Sequence, residues 1–186
     1  MAIYQYDLYL IPRLSIIDKY GEIPTQLFID HEAWKKHWAK ETWEDGHDFE
    51  DALTTNWWKE SKLLFKEIEP FIHSFIKPVA WSKLSTDHKA YGNNDTNDFS
   101  IGLTVEGSIE DFHCRIDLRE IDRNFIDRLL ALAKQMNCLL LDRNGNLFQP
   151  TFDKLTDNLK HSNAFKFISN PRDFVDKFSN GQIQSE

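Results

Sequence analysis

The chain has 186 residues, 13% of them aromatic, and a formal net charge of −8 at pH 7. That length allows one sizeable core, and many Phe and Trp beside few Gly and Pro exclude disorder and low complexity. The acidic balance argues against direct nucleic-acid binding, which needs clustered Lys and Arg against the phosphates.

Ile3 to Ile11 alternates Tyr4, Tyr6, Leu8 and Leu10 against Ile3, Gln5, Asp7 and Tyr9, a β-strand pattern stopped by Pro12. Gln5 and Asp7 also interrupt any signal-peptide core, and no apolar run approaches membrane-spanning length, so a cytoplasmic protein without a membrane partner is expected. Leu14, Ile16, Ile17 and Tyr20 suggest a short helix ended by Gly21, and Pro24 opens a segment through Leu27, Phe28 and Ile29. From Asp30 the spacing of Trp34, His37, Trp38 and Glu41 predicts a docking helix. Asp48 is placed to cap the longest helix, with Phe49, Ala52, Leu53, Trp57, Leu64, Phe65 and Ile68 as its stripe and Pro70 ending or kinking it. Adjacent Trp57 and Trp58 cannot both face one core from a helix, so two elements sandwich it or one Trp is a partner contact. Phe71, Ile72, Phe75 and Ile76 continue the apolar pattern to Pro78; Val79 to Leu84 reads as a strand and Ser85 to Asp98 as a loop.

The firmest local pattern follows. Phe99, Ile101, Leu103 and Val105 alternate with polar or small residues, and Phe112, Cys114, Ile116 and Leu118 alternate with His113, Arg115, Asp117 and Arg119. The short Glu106 to Asp111 connection makes these an antiparallel hairpin. Asp122 can cap a helix whose buried stripe is Phe125, Ile126, Leu129, Leu130, Leu132, Ala133 and Met136. Cys138 to Leu141 is a strand, Asn144-Gly145 predicts a type I′ turn, and Leu147-Phe148 returns. Phe152, Leu155 and Leu159 mark a helix, Ala164 to Ile168 an apolar segment, and Asn170-Pro171 a helix start after which Phe174, Val175 and Phe178 face inward. Together these predict one α+β domain over 1–178, a mainly antiparallel sheet of about five strands with helices mostly on one face, and a tail over 179–186.

Chemical motifs are few. His31-Glu32 begins a zinc-protease pattern, but Lys35 holds the second ligand position; Asp142, Asn144 and Asn146 imitate a calcium loop, but Leu147 stands where its turn glycine belongs. No phosphate-cradling Gly-rich loop or nucleophile elbow is present, and Cys114 and Cys138 read as buried free thiols. No cofactor or metal is therefore expected. Two constellations remain. The row His113, Arg115, Asp117 and Arg119, with Asp7 and Tyr9 on a neighbouring strand, is either a solvated face with cross-strand ion pairs, an interaction surface, or the site of a small enzyme. The run Glu41, Trp43, Glu44, Asp45, Asp48, Glu50 and Asp51 concentrates the chain's acidity, either as solvated acids near a helix start or as a patch steering a basic partner.

Cys114-Arg115-Ile116-Asp117-Leu118-Arg119, the helix leading to Asn137-Cys138-Leu139-Leu140, Ser162-Asn163-Ala164-Phe165 and Asn170-Pro171 resemble small bacterial proteins, some of which look like immunity proteins encoded beside polymorphic or contact-dependent toxins. The resemblance covers roughly the C-terminal half and carries no catalytic residues. It implies a cytoplasmic, non-catalytic inhibitor of a cognate toxin, many such toxins being basic nucleases; the alternatives are the small enzyme and a structural or adaptor protein. It is silent on homo-oligomers.

Overall fold

The computed structural model describes residues 4–40, 47–180 and 182–183. Its framework is a six-stranded antiparallel sheet in the order β2-β3-β4-β1-β5-β6, where β1 is Gln5–Pro12, β2 His88–Gly92, β3 Asp98–Leu103, β4 Ile109–Asp117, β5 Cys138–Asp142 and β6 Leu147–Phe148. The fold is α+β, with one strand more than the sequence pattern predicts. β1 pairs with β4 on one side and β5 on the other, which explains why Leu8 and Leu10 are fully buried.

Period-two alternation gives the sheet two unlike faces. One carries Tyr6, Leu8, Leu10, Phe99, Ile101, Phe112, Cys114 and Ile116, all buried. Two helices cover it: α3 (Phe65–His73) and α4 (Arg123–Gln135), the α4 Phe125 ring packing 5.3 Å from Phe99 and the α3 Phe65 ring 6.4 Å from Tyr91. Asp122 caps α4 as expected, accepting the Phe125 N–H at 3.0 Å. The other face is divided. At the β5 and β6 end Ile11, Leu139, Leu141 and Leu147 are buried, whereas towards β2, β3 and β4 it carries the polar alternates.

Helix α1 (Arg13–Tyr20) ends at Gly21, whose φ of +76° lets its N–H reach the Ile17 carbonyl at 2.7 Å. Helix α2 (His31–Trp38) is capped by Asp30. Three helices close the chain: α5 (Phe152–Leu159), α6 (Asn163–Ser169) and α7 (Pro171–Ser179), the last with Phe174 buried but Val175 and Phe178 about half exposed, contrary to expectation. The tail expected over 179–186 lies partly outside the described residues. Cys114 and Cys138 are buried free thiols, and burial pushes Cys138 up to about 12.

Other departures have local causes. The long helix expected from Asp48 is a series of turns until Phe65. Side chains there capture the backbone: Asp51 accepts the Leu53 and Thr54 N–H groups, Thr55 donates to the Asp51 carbonyl, and Asn56 accepts from Trp58. Freed from helical phase, Trp57 and Trp58 are both buried, their indole N–H groups held by the Ala52 and Leu10 carbonyls. Pro70 neither ends α3 nor starts a new segment, since Ile68 and Ile72 on either side of it are buried. The expected loop contains β2, whose Tyr91 faces Phe99, and the expected strand after Val79 is a 3-10 turn over Trp81–Lys83. At Asn144-Gly145 only Gly145 has positive φ, +83°, because the Asp142 carboxylate gathers the Asn144 and Asn146 N–H groups into a different turn.

Both sheet edges are covered. Residues 77–79 bond to the outer side of β2, with Val79 N–H to the Ala90 carbonyl and Gly92 N–H to Lys77, and residues 25–27 do the same for β6. Among the described residues no helix is long and apolar enough to cross a membrane.

Candidate functional site

The polar part of the second face follows from register. Asp7 lies opposite Arg115, Tyr9 opposite His113, His113 opposite Ser100, and Arg115 opposite Asp98. Towards the edge the same rows end in Ala90 and Gly92 on β2. Long side chains on β4 beside short ones on β2 and β3 leave a concavity of about 580 Å3, lined by Trp81, His88, Ala90, Ser100, His113 and Arg115 among others. Gly92 is required here: its φ is +86°, and a Cβ would stand 2.2 Å from the Asn97 carbonyl oxygen.

The charges on this face hold one another. His113 Nε2 lies 2.9 Å from an Asp7 oxygen, with the Tyr9 ring 4.8 Å from the imidazole. Arg115 Nε donates to both Asp98 oxygens at 3.0 and 3.1 Å, its Nη2 also bonds Asp98, and the same nitrogen reaches Asn94 Oδ1 at 3.3 Å. Asp117 accepts from the Arg119 N–H at 2.9 Å and from its guanidinium at 2.8 and 3.0 Å, which together hold the Asp117 carboxyl below its usual value. Asp7, Asp98 and Asp117 are each buried, a state carboxylates tolerate only when paired and hydrogen-bonded. Burial lifts the Tyr9 phenol above its ordinary value, against the opposing pull of Arg143. The structure thus gathers Asp7, Tyr9, His113 and Arg115, with Asp117 and Arg119 as a separate pair further along β4.

At the rim the Trp81 indole lies parallel to the His88 ring, 5.6 Å between centroids and 5° between planes, yet is 61% exposed. His88 Nε2 is 3.4 Å from the Ser100 hydroxyl. Sequence reasoning missed Trp81, His88, Asn94 and Asp98 as site residues because they fall where it placed a strand and a loop. The available signal was the alternation of His88, Ala90 and Gly92 with Lys89 and Tyr91, obscured by having a single bulky apolar residue.

The acidic run divides. Glu41, Trp43, Glu44 and Asp45 lie outside the described residues. Asp48 pairs with Lys40 at 3.1 Å and Glu50 with Lys19 at 3.4 Å, all well exposed. Asp51 is buried and accepts from Asp30 N–H at 3.1 Å and the Trp34 indole at 2.7 Å, a joint fixing the start of α2 to the turns beyond it. Beside that joint, Trp34 stacks 5.8 Å from the exposed Trp38. Comparison with protein-family models, with curated proteins and with solved structures finds no match to this chain.

Proposed function

We propose that the protein is a non-catalytic inhibitor of the immunity type, acting in the cytoplasm, which neutralises a cognate toxin by seating part of it on the polar half of the sheet. The observation that carries this reading is the concavity whose charged side chains are already fixed in pairs, so that docking orders few of them anew. The net charge of −8 favours a basic partner through complementary fields. Because both sheet edges are covered, the partner meets side chains on a face rather than adding a strand.

The test is a growth assay in which the product of the neighbouring upstream gene is expressed alone and with this protein. Growth arrest relieved by co-expression, with a stoichiometric complex on purification, supports the reading; a toxic neighbour that is not relieved, or a harmless one, removes it. Charge reversal at Glu44, Asp45 and Asp48 then separates the two surfaces: a faster off-rate assigns contact to the acidic run, and an unchanged one leaves the sheet face.

One observation favours a second reading. The Asp7-oriented His113 imidazole, in tilted contact with the Tyr9 ring beside a cavity, is the arrangement of a general base and its positioning carboxylate. Turnover on a substrate panel that disappears in His113→Ala with folding intact would establish a small enzyme, and its absence from the wild type across the panel would remove it.

A further inference from the structure

We propose that the cavity between Trp81 and Arg115 receives one arginine side chain of the protein partner. The partner's identity rests on the reading above; the chemistry of the seat does not. On and beside the polar face stand five carboxylates, Asp7, Asp95, Asp98, Asp111 and Asp117, against three guanidiniums, Arg115, Arg119 and Arg143, of which Asp98 and Arg115 line the cavity itself. Five minus three leaves two negative charges from these groups. Arg115 adds no free cation to that field, since Asp98 and Asn94 hold its Nε and Nη2. An incoming carboxylate or phosphate would therefore meet net repulsion.

Field alone would suit lysine equally; the rim selects between them. Trp81 presents a largely exposed indole face, its ring fixed parallel to His88. A guanidinium is flat, weakly hydrated and able to stack on an indole while donating in its plane, whereas an ammonium keeps its water more tightly. The Ser100 hydroxyl lines the same wall as an acceptor for a guanidinium N–H. About 580 Å3 leaves space for the whole side chain and the backbone that carries it.

The experiment is an amide and indole NMR titration of the full chain with N-acetylarginine amide, its uncharged isostere N-acetylcitrulline amide, and N-acetylglutamate amide. Arginine should give saturable shifts at the Trp81 indole and at Ser100 and His113, in the millimolar range expected of one exposed ion and π contact, weakening with salt. Citrulline should bind at least about tenfold more weakly, the gap expected from losing the charge, and glutamate should give no saturable shift. Trp81→Ala, an exposed position that leaves the fold intact, should abolish the arginine response, and Trp81→Phe should restore part of it. Equal binding of citrulline, saturable binding of glutamate, or the absence of a saturable arginine shift at Trp81 overturns the proposal. Arginine binding without relief of any toxin leaves the seat standing and removes the toxin reading; toxin relief that survives Trp81→Ala, with no arginine response, does the reverse.

Discussion

Asp7 and Ile11 project from the same side of β1, four residues apart, and meet opposite fates. Ile11 lies opposite Leu139 in the apolar end of the sheet face, whereas Asp7 lies opposite Arg115 and bonds His113 at the polar end. Both are nearly inaccessible, 3% and 6% exposed, but the first is buried by apolar packing and the second by its ionic partners. One face of one sheet thus contains a core and a preformed polar surface. What separates them is the neighbouring strand: β5 brings leucines to the face and β4 brings His113, Arg115 and Asp117.

The contrast can be broken most severely through the opposite, mainly apolar face. Phe99→Ala removes a buried ring packed against Phe75, Phe112 and Phe125 and should cost about 3–5 kcal/mol in urea unfolding. A loss below about 1 kcal/mol would mean that face repacks freely, unlike a dense core. On the polar end, Asp98→Ala strands Arg115 beside other carboxylates but without its bidentate partner, and about 3 kcal/mol is expected. The double variant Asp98→Leu with Arg115→Met should recover much of that loss, because an apolar pair needs no compensation. If Asp98→Ala is silent, the pairs are ornaments on a solvated surface and the two ends differ less than proposed.

Two aspartates sharpen the comparison at smaller scale. Asp117, held by Arg119, titrates below the ordinary 3.8, while Asp142 on the apolar face is raised above it by burial despite bonds from Tyr6 and Asn146. Signs follow directly. Asp117 contributes stability that is fully present above the unfolded-state value and is lost as pH falls through its lower folded value; Asp142 opposes folding at neutral pH, and that cost fades as pH falls through its raised folded value. Carboxyl-carbon NMR should place the two on opposite sides of 3.8, and Asp117→Asn should destabilise at pH 7 with the gap closing in acid. Both titrating on one side would erase the distinction. The smallest effect is Trp81→Ala, which should change stability by no more than about 0.5 kcal/mol because the indole rests on the surface.

Strong period-two and helical patterns were legible wherever one side of an element is uniformly apolar. Phe99 to Leu103, Phe112 to Ile116 and the α4 stripe needed only their own spacing, and the row Asp7, Tyr9, His113 and Arg115 followed once β1 and β4 paired as expected. β2 was hidden because an edge strand covered by another segment needs only Tyr91 in the core. The segment after Asp48 misled for the reverse reason: its apolar residues fit a helical stripe, while Asp51, Thr55 and Asn56 bond the backbone in turns.

By itself the sequence determined which side chains are apolar, where chains must turn, and hence that an antiparallel sheet backed by helices would form. Alternation also determined that His113, Arg115 and Asp117 share a side of β4. The tertiary structure alone decided what those residues meet. Depth on the sheet face depends on the side-chain lengths of strands distant in sequence, so Ala90, Gly92 and Ser100 open a cavity only when register sets them beside His113 and Arg115. Pairing of Asp7 with His113 and of Asp98 with Arg115 depends on the same register, because a carboxylate becomes a buried partner only where a cation stands within bonding distance.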